Sequence, residues 1–297
     1  MKLLHYREDG KIKLGIATVH GVVDVEAAVG GEAAPELKSA DAALAAGGEA
    51  LDRLRELDRR IAEEGPAAFK ESLRNEAELS LEPCVVRPGK LICVGLNYRR
   101  HAEETGSPIP AYPILFNKFD NALSAHGRDI RLPKTSDKTD YEAELGIVIG
   151  RTAFDVAPEE ALDYVGGYCN VNDVSARDLQ VRTSQWLLGK SLDGFCPIGP
   201  YLVTADAVPE PNSLGIRCTV NGELRQSSNT SDMIFDCRTI VSYISRHMTL
   251  QPGDLIMTGT PEGVVLGYPE DRQVYLKTGD IVTVEIDGLG SLTNRFI

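Results

Sequence analysis

Residues 139–150 read TDYEAELGIVIG. Asp140, Glu142 and Glu144 recur at every second position, and an apolar run of Leu145, Ile147, Val148 and Ile149 begins where they end. Strand side chains alternate, so Glu142 and Glu144 share a face, while Tyr141, Ala143, Leu145, Ile147 and Ile149 form an opposite face apolar enough for a core. Neighbouring like charges repel. They are tolerated in water, or where a cation holds them together, and hard oxygen ligands favour magnesium, manganese or calcium. A solvated strand end and a cation site are therefore the two readings.

Four further stretches carry polar groups that could work with such a pair. GYCNVNDVSARDLQ (167–180) places Asp173 where a strand-like run turns into a helix-like one, suited to capping a helix or to supplying a third oxygen ligand. GLNYRRHAEETG (95–106) spaces His101 and Glu104 three apart, so they meet on one helical face. A carboxylate beside a histidine orients it and keeps it basic, as a general base requires, although such pairs also decorate exposed helices. QWLLGKSLDGFCPIGP (185–200) sets Lys190 among apolar neighbours, near the single Trp186 and Phe195, where a lysine is costly unless it meets an anion. MTGTPEGV (257–264) is a turn whose N–H groups and hydroxyls suit a carboxylate, and it is also a turn like any other.

The elements that must position these groups fall into three zones. Residues 1–30 alternate apolar and polar and predict short strands. Residues 31–80 are rich in Ala, Glu and Arg, and Leu51, Leu54, Leu57 and Ile61 predict one helical stripe. From residue 83 strand-like runs dominate, with turn signals at NG (221–222), PGD (252–254) and TGD (278–280). Helical patterns are sparser, at 158–165, 175–188 and 232–248. The fold class read here is β-rich α+β, with no internal repeat.

Length and composition exclude several functions. The 297 residues suit one large domain or a large and a small one. Mean hydropathy is -0.15, and neither a membrane-spanning run nor a signal peptide is visible, so a cytoplasmic protein is expected. The net charge of -13, with no basic block, argues against nucleic acid. It also means that an anionic substrate needs local positive charge. The six scattered cysteines lack a C-x-x-C pair and read as buried thiols.

In order, GLNYRRHAEE, DYEAELGIVIG, GYCNVNDVSARDLQ, WLLGKSLDGFCPIGP and MTGTPEGV resemble the fumarylacetoacetate hydrolase family over roughly residues 85–297. The resemblance implies a mixed β-sandwich roll, a homodimer and a divalent metal, magnesium with manganese as the alternative. Residues 83–297 would be the catalytic domain and residues 1–82 a small N-terminal α/β domain. By match to the motifs, Glu142, Glu144 and Asp173 are the implied metal ligands. Lys190 and Gln180 face the substrate, Thr260 binds its carboxylate, and Arg177 is grouped with the substrate-binding residues. His101 and Glu104 resemble the dyad that activates water, on a segment that closes as a lid. The expected ligand is a 2-oxo or 2,4-dioxo acid, and the favoured reaction is hydrolytic cleavage of a C–C bond in an acylpyruvate through a metal-stabilised enolate. Decarboxylation of oxaloacetate and isomerisation of 2-hydroxyhepta-2,4-diene-1,7-dioate are the alternatives, and a metal–carboxylate sensor is the non-enzymatic one.

Overall fold

The computed structural model describes residues 1–31 and 33–297. The alternating N-terminus forms an antiparallel meander of Lys2–Glu8, Lys11–Thr18 and Gly21–Asp24. Asp9 and Gly10 turn its first hairpin with φ of 51° and 74°, as a two-residue turn requires. With Leu73–Arg74 paired outside Gly21–Asp24, this meander forms one end of a large mixed sheet. From Lys2–Glu8 the sheet continues through Cys196–Thr204, Val165–Asn172, Ala143–Ile149, Leu255–Met257 and Leu91–Gly95 to Ile114–Lys118. Leu3 lies opposite Leu202 across the first of these joins. The N-terminal strands therefore extend the sheet that carries the acids.

A second sheet orders Glu223–Asn229, Gly215–Val220, Ile281–Ile286, Gly290–Phe296 and Asp129–Ile130. The NG signal is its first hairpin, with Asn221 and Gly222 at φ of 52° and 80°.

The strand Ala143–Ile149 is buried on both faces. Its odd-numbered face, including Leu145, Ile147 and Ile149, joins Ile216, Val282, Val284 and Ile286 of the second sheet in one core. Its even-numbered face ends in Val148, which shares a second core with Val171, Leu202 and Met257 and with Leu54, Leu57 and Ile61 of the helix Gly48–Glu64. Each such side chain contributes about 1.5–3 kcal/mol by burial. Between the acids and Val148 lies Gly146, where a Cβ would meet Val171 Cγ2 at 2.7 Å and Cys169 Sγ at 2.8 Å.

Three expectations about helices need correction. The stripe on Gly48–Glu64 buries Ala50, Leu54, Leu57 and Ile61, leaving Leu51 on its margin. The pattern at 175–188 is not one helix but two single turns, Arg177–Gln180 and Leu187–Lys190. Between them Thr183 Oγ1 donates to Gln185 O and accepts from Gln185 N, local bonds that compete with a helix. The pattern at 158–165 gives only the 3₁₀ turn Ala161–Tyr164. At 232–248 the helix runs Cys237–Ser245, started by Asp236, whose side chain accepts from Thr239 N. All six cysteines are free and buried.

Candidate active site

The even-numbered face of the acid strand ends in Glu142 and Glu144, neither of them solvated. The chain following Val165–Asn172 brings Asp173 beside them: Asp173 N donates to Glu142 O at 2.9 Å, and Glu142 N donates to Asn172 Oδ1 at 3.0 Å. One oxygen from each of the three buried carboxylates lies within 4.8 Å of the others. The capping alternative for Asp173 does not hold, because the next helix has Ala176 at its N-cap position.

Three buried cations surround the acids. Lys190 Nζ lies 2.7 Å from both Glu142 Oε2 and Asp173 Oδ2. Lys118, at the end of Ile114–Lys118, reaches Asp173 Oδ1 at 2.5 Å and donates to Val174 O, Lys190 O and Phe195 O. Arg177 Nη1 lies 2.7 Å from Glu142 Oε1, and its Nε donates to Asp140 Oδ2 at 2.8 Å. Asp140, the third acid of the alternation, also accepts from the backbone of Tyr141, Val265 and Leu266. It therefore locks the guanidinium to the 265–266 turn.

The charges set the titration. Burial would raise Glu142, but Lys190 and then Arg177 outweigh it and hold the carboxyl at about 2. Burial would lower Lys190, but Asp173 and Glu142 push it above its usual range. Glu144 behaves oppositely. Burial, then Asp173 and Glu142, drive it well above the carboxylate range. Among the described residues it has no ion-pair partner, only Gly259 N–H donating to Oε2 at 2.8 Å. Gly259 must be glycine: its φ is 95°, and a Cβ would meet Asn97 Cβ at 2.8 Å.

A hard divalent cation fits this donor set. It would bring three carboxylate oxygens together and neutralise Glu144, the acid the protein leaves uncompensated.

Opposite the acids, the helix Arg99–Glu104 carries His101 and Glu104. His101 is buried, not part of an exposed pair, and its Nδ1 lies 2.9 Å from Glu104 Oε1. Glu104 in turn accepts from Gly263 N–H at 3.0 Å and packs against Gly267, where a Cβ would lie 2.5 Å from its carboxyl carbon.

A cavity of about 170 Å³ lies between the two walls. Of the residues named from the sequence, His101, Glu142, Glu144, Arg177, Gln180, Lys190 and Thr260 all line it. Glu104 and Asp173 do not line it, but bond to His101 and Lys190 behind it. Val94, Phe116, Trp186 and Leu266 form the apolar wall, and Lys190 Nζ lies 5.0 Å from the Phe116 ring centre. Three larger grooves, of about 570, 600 and 530 Å³, are lined by no buried carboxylate. Sequence reasoning missed Lys118 and the role of Asp140. No helix among the described residues is long and apolar enough to cross a membrane.

Comparison with known proteins meets this geometry. The family model described as fumarylacetoacetate (FAA) hydrolase C-terminal matches residues 90–297. The mitochondrial oxaloacetate tautomerase of Xenopus laevis is 45% identical over 229 residues, 76% of this chain and 71% of its own length. The structure of a fumarylacetoacetate hydrolase from psychrophilic Exiguobacterium antarcticum is similar with a TM-score of 0.83 at 36% identity, covering 100% of this chain and 99% of that one. That of a fumarylpyruvate hydrolase from Pseudomonas aeruginosa, in complex with Mn2+ and pyruvate, has a TM-score of 0.65 at 36% identity, covering 71% of this chain and 91% of that one.

Proposed function

The chain belongs to the fumarylacetoacetate hydrolase family, and on that premise we propose a divalent-metal-dependent enzyme that interconverts the enol and keto forms of oxaloacetate. One observation carries the substrate class. Arg177 Nη2 is buried without a hydrogen-bond partner among the described residues, and Arg177 lines the cavity. An unpaired buried cationic donor calls for an anionic oxygen. The cavity of about 170 Å³ is smaller than the roughly 300 Å³ at which sites for drug-sized ligands begin, which suits a short acid. The similarity to an oxaloacetate tautomerase supports the same choice.

Glu142, Glu144 and Asp173 would hold the metal, magnesium in the first instance, with manganese suited to the same oxygens. When bound, it supplies Lewis-acid polarisation of the 2-oxo group and its carboxylate. Lys190 and Arg177 supply the local positive charge that an acidic protein needs to admit an anion. Thr260 and Gln180 offer hydrogen bonds to the substrate's oxygens. Glu104 accepts from Nδ1 of His101, which leaves Nε2 as the base. His101 Nε2 takes a proton from C3 and returns it to the enolate oxygen, so the reaction needs neither water nor a leaving group. The catalytic machinery lies within residues 83–297, with 1–82 as the small N-terminal domain, and the working form is a cytoplasmic homodimer.

The dyad itself favours a second reading. With Glu104 behind it, His101 would equally deprotonate a water that attacks an acylpyruvate two carbons from the 2-oxo group. The C–C bond then breaks and pyruvate leaves. Decarboxylation gives this base no work, and neither does a sensor.

The test is metal-stripped protein with and without magnesium, offered enol-oxaloacetate and acetylpyruvate. Magnesium-dependent loss of enol absorbance without pyruvate release supports tautomerisation. Pyruvate from acetylpyruvate moves the assignment to hydrolysis, and pyruvate from oxaloacetate to decarboxylation. No response to either substrate overturns the proposal.

A further inference from the structure

Gln226 belongs to none of the catalytic motifs. It sits on Glu223–Asn229 in the second sheet, with its side chain buried. Its Oε1 accepts from Ala143 N–H at 2.9 Å, in the peptide between the two acids. Its Nε2 donates to Thr260 Oγ1 at 2.8 Å and to Pro261 O at 2.9 Å. One amide thus ties the acid strand to the turn that carries Thr260.

The orientation of that amide is fixed. A backbone N–H only donates and a backbone carbonyl only accepts, so Ala143 demands the oxygen and Pro261 the nitrogen. Thr260 Oγ1 therefore accepts from Gln226. Its own proton remains free, and no other hydrogen bond of this hydroxyl is present among the described residues. Thr260 lines the cavity beside the acids.

We infer that Gln226 is a positioning residue that makes the Thr260 hydroxyl a dedicated donor toward a substrate carboxylate. The inference rests on the proposed function. Without Gln226 the hydroxyl would be free to turn toward a protein acceptor, and the substrate would lose one charge-assisted hydrogen bond.

The experiment is a double-mutant cycle. Gln226→Glu keeps the acceptor for Ala143 N–H and removes the amide donor. Gln226→Met removes both and carries the same test should the first variant fail to fold. Each is made alone and with Thr260→Val. Pyruvate affinity is read by calorimetry on magnesium-loaded protein, alongside KM, kcat and melting temperature. Each single variant should weaken pyruvate binding and raise KM about ten-fold, the scale of one hydrogen bond to a charged group, with a smaller change in kcat. The double variant should be no worse than either single one. Multiplying losses, or a fall in kcat and melting temperature with KM unchanged, would make Gln226 merely structural and overturn the inference. Wild-type protein that binds no pyruvate and turns over neither substrate would instead overturn the function beneath it, and the inference with it.

Discussion

On the acid wall of the cavity, Glu142 is gripped by Lys190 and Arg177, Asp173 by Lys118 and Lys190, and Arg177 by Asp140. On the facing wall, His101 and Glu104 ride a six-residue helix whose Arg99, Arg100 and Glu103 are exposed. That helix is moored at its entry by Asn97, which bonds Phe235 and the Thr258 carbonyl, and at its far end by Glu104 on Gly263. The difference follows from what each wall must do. Buried charges are costly unless paired, so Glu142 and Asp173 are each met by two cations, while Glu144, with no ion-pair partner among the described residues, is left for the proposed metal. The base proposed for His101 needs only one orienting partner, Glu104, and an element with few ties can carry it.

Breaking the acid wall should have the largest effect. Glu142→Ala leaves Lys190 and Arg177 facing an unfilled site. It is expected to cost about 3–5 kcal/mol in urea unfolding and to reduce magnesium affinity severely by calorimetry. Unchanged affinity would remove Glu142 from the metal site. Breaking the facing wall should separate chemistry from binding: His101→Ala should lower turnover about 10²–10⁴-fold and leave magnesium affinity alone. A loss of magnesium binding in that variant would mean that the two walls are not independent.

Gly267→Ala sharpens the contrast by displacing Glu104 while keeping both dyad residues. Its new methyl would lie 2.5 Å from the Glu104 carboxyl carbon, so the carboxylate must move. Turnover should fall less than in His101→Ala, with magnesium affinity unchanged; full activity would show that Glu104 need not stay where it is.

The smallest effect is a pH dependence. In metal-free protein Glu144 is raised above 4.5, so its contribution to stability is complete below that pH and is lost as pH rises through the folded value. Glu142, held at about 2, works the other way, and its contribution is lost as pH falls from 4.5 through 2. A cation that ionises Glu144 removes the first penalty. The rise in melting temperature on adding magnesium should therefore grow with pH; a gain that shrinks with rising pH would contradict the placement of Glu144 beside the metal.

Much of this was legible because period and spacing are local. The alternation at 140–149 placed the apolar face in one core and the acids on the other, and the NG pair placed a hairpin. His101 and Glu104 were readable from a helix's three-residue spacing. What escaped was nonlocal or plain in type. Lys118 closes an ordinary strand and finds Asp173 55 positions later in the chain. Asp140 looked like one more member of the acidic run until its partner, Arg177, folded against it. Gln226 bonds a peptide 83 residues away, which no window contains. The helical reading of 175–188 failed because Thr183 offered the backbone other partners.

The mooring of Glu104 on Gly263 has a spectroscopic consequence. The Gly263 N–H donates to the Glu104 carboxylate, a bond that moves the amide proton downfield and protects it from exchange while the dyad helix lies on its seat. Its NMR resonance and its exchange rate with deuterium therefore report, at a single glycine, how often that helix lifts, without a substrate or a label placed in the cavity.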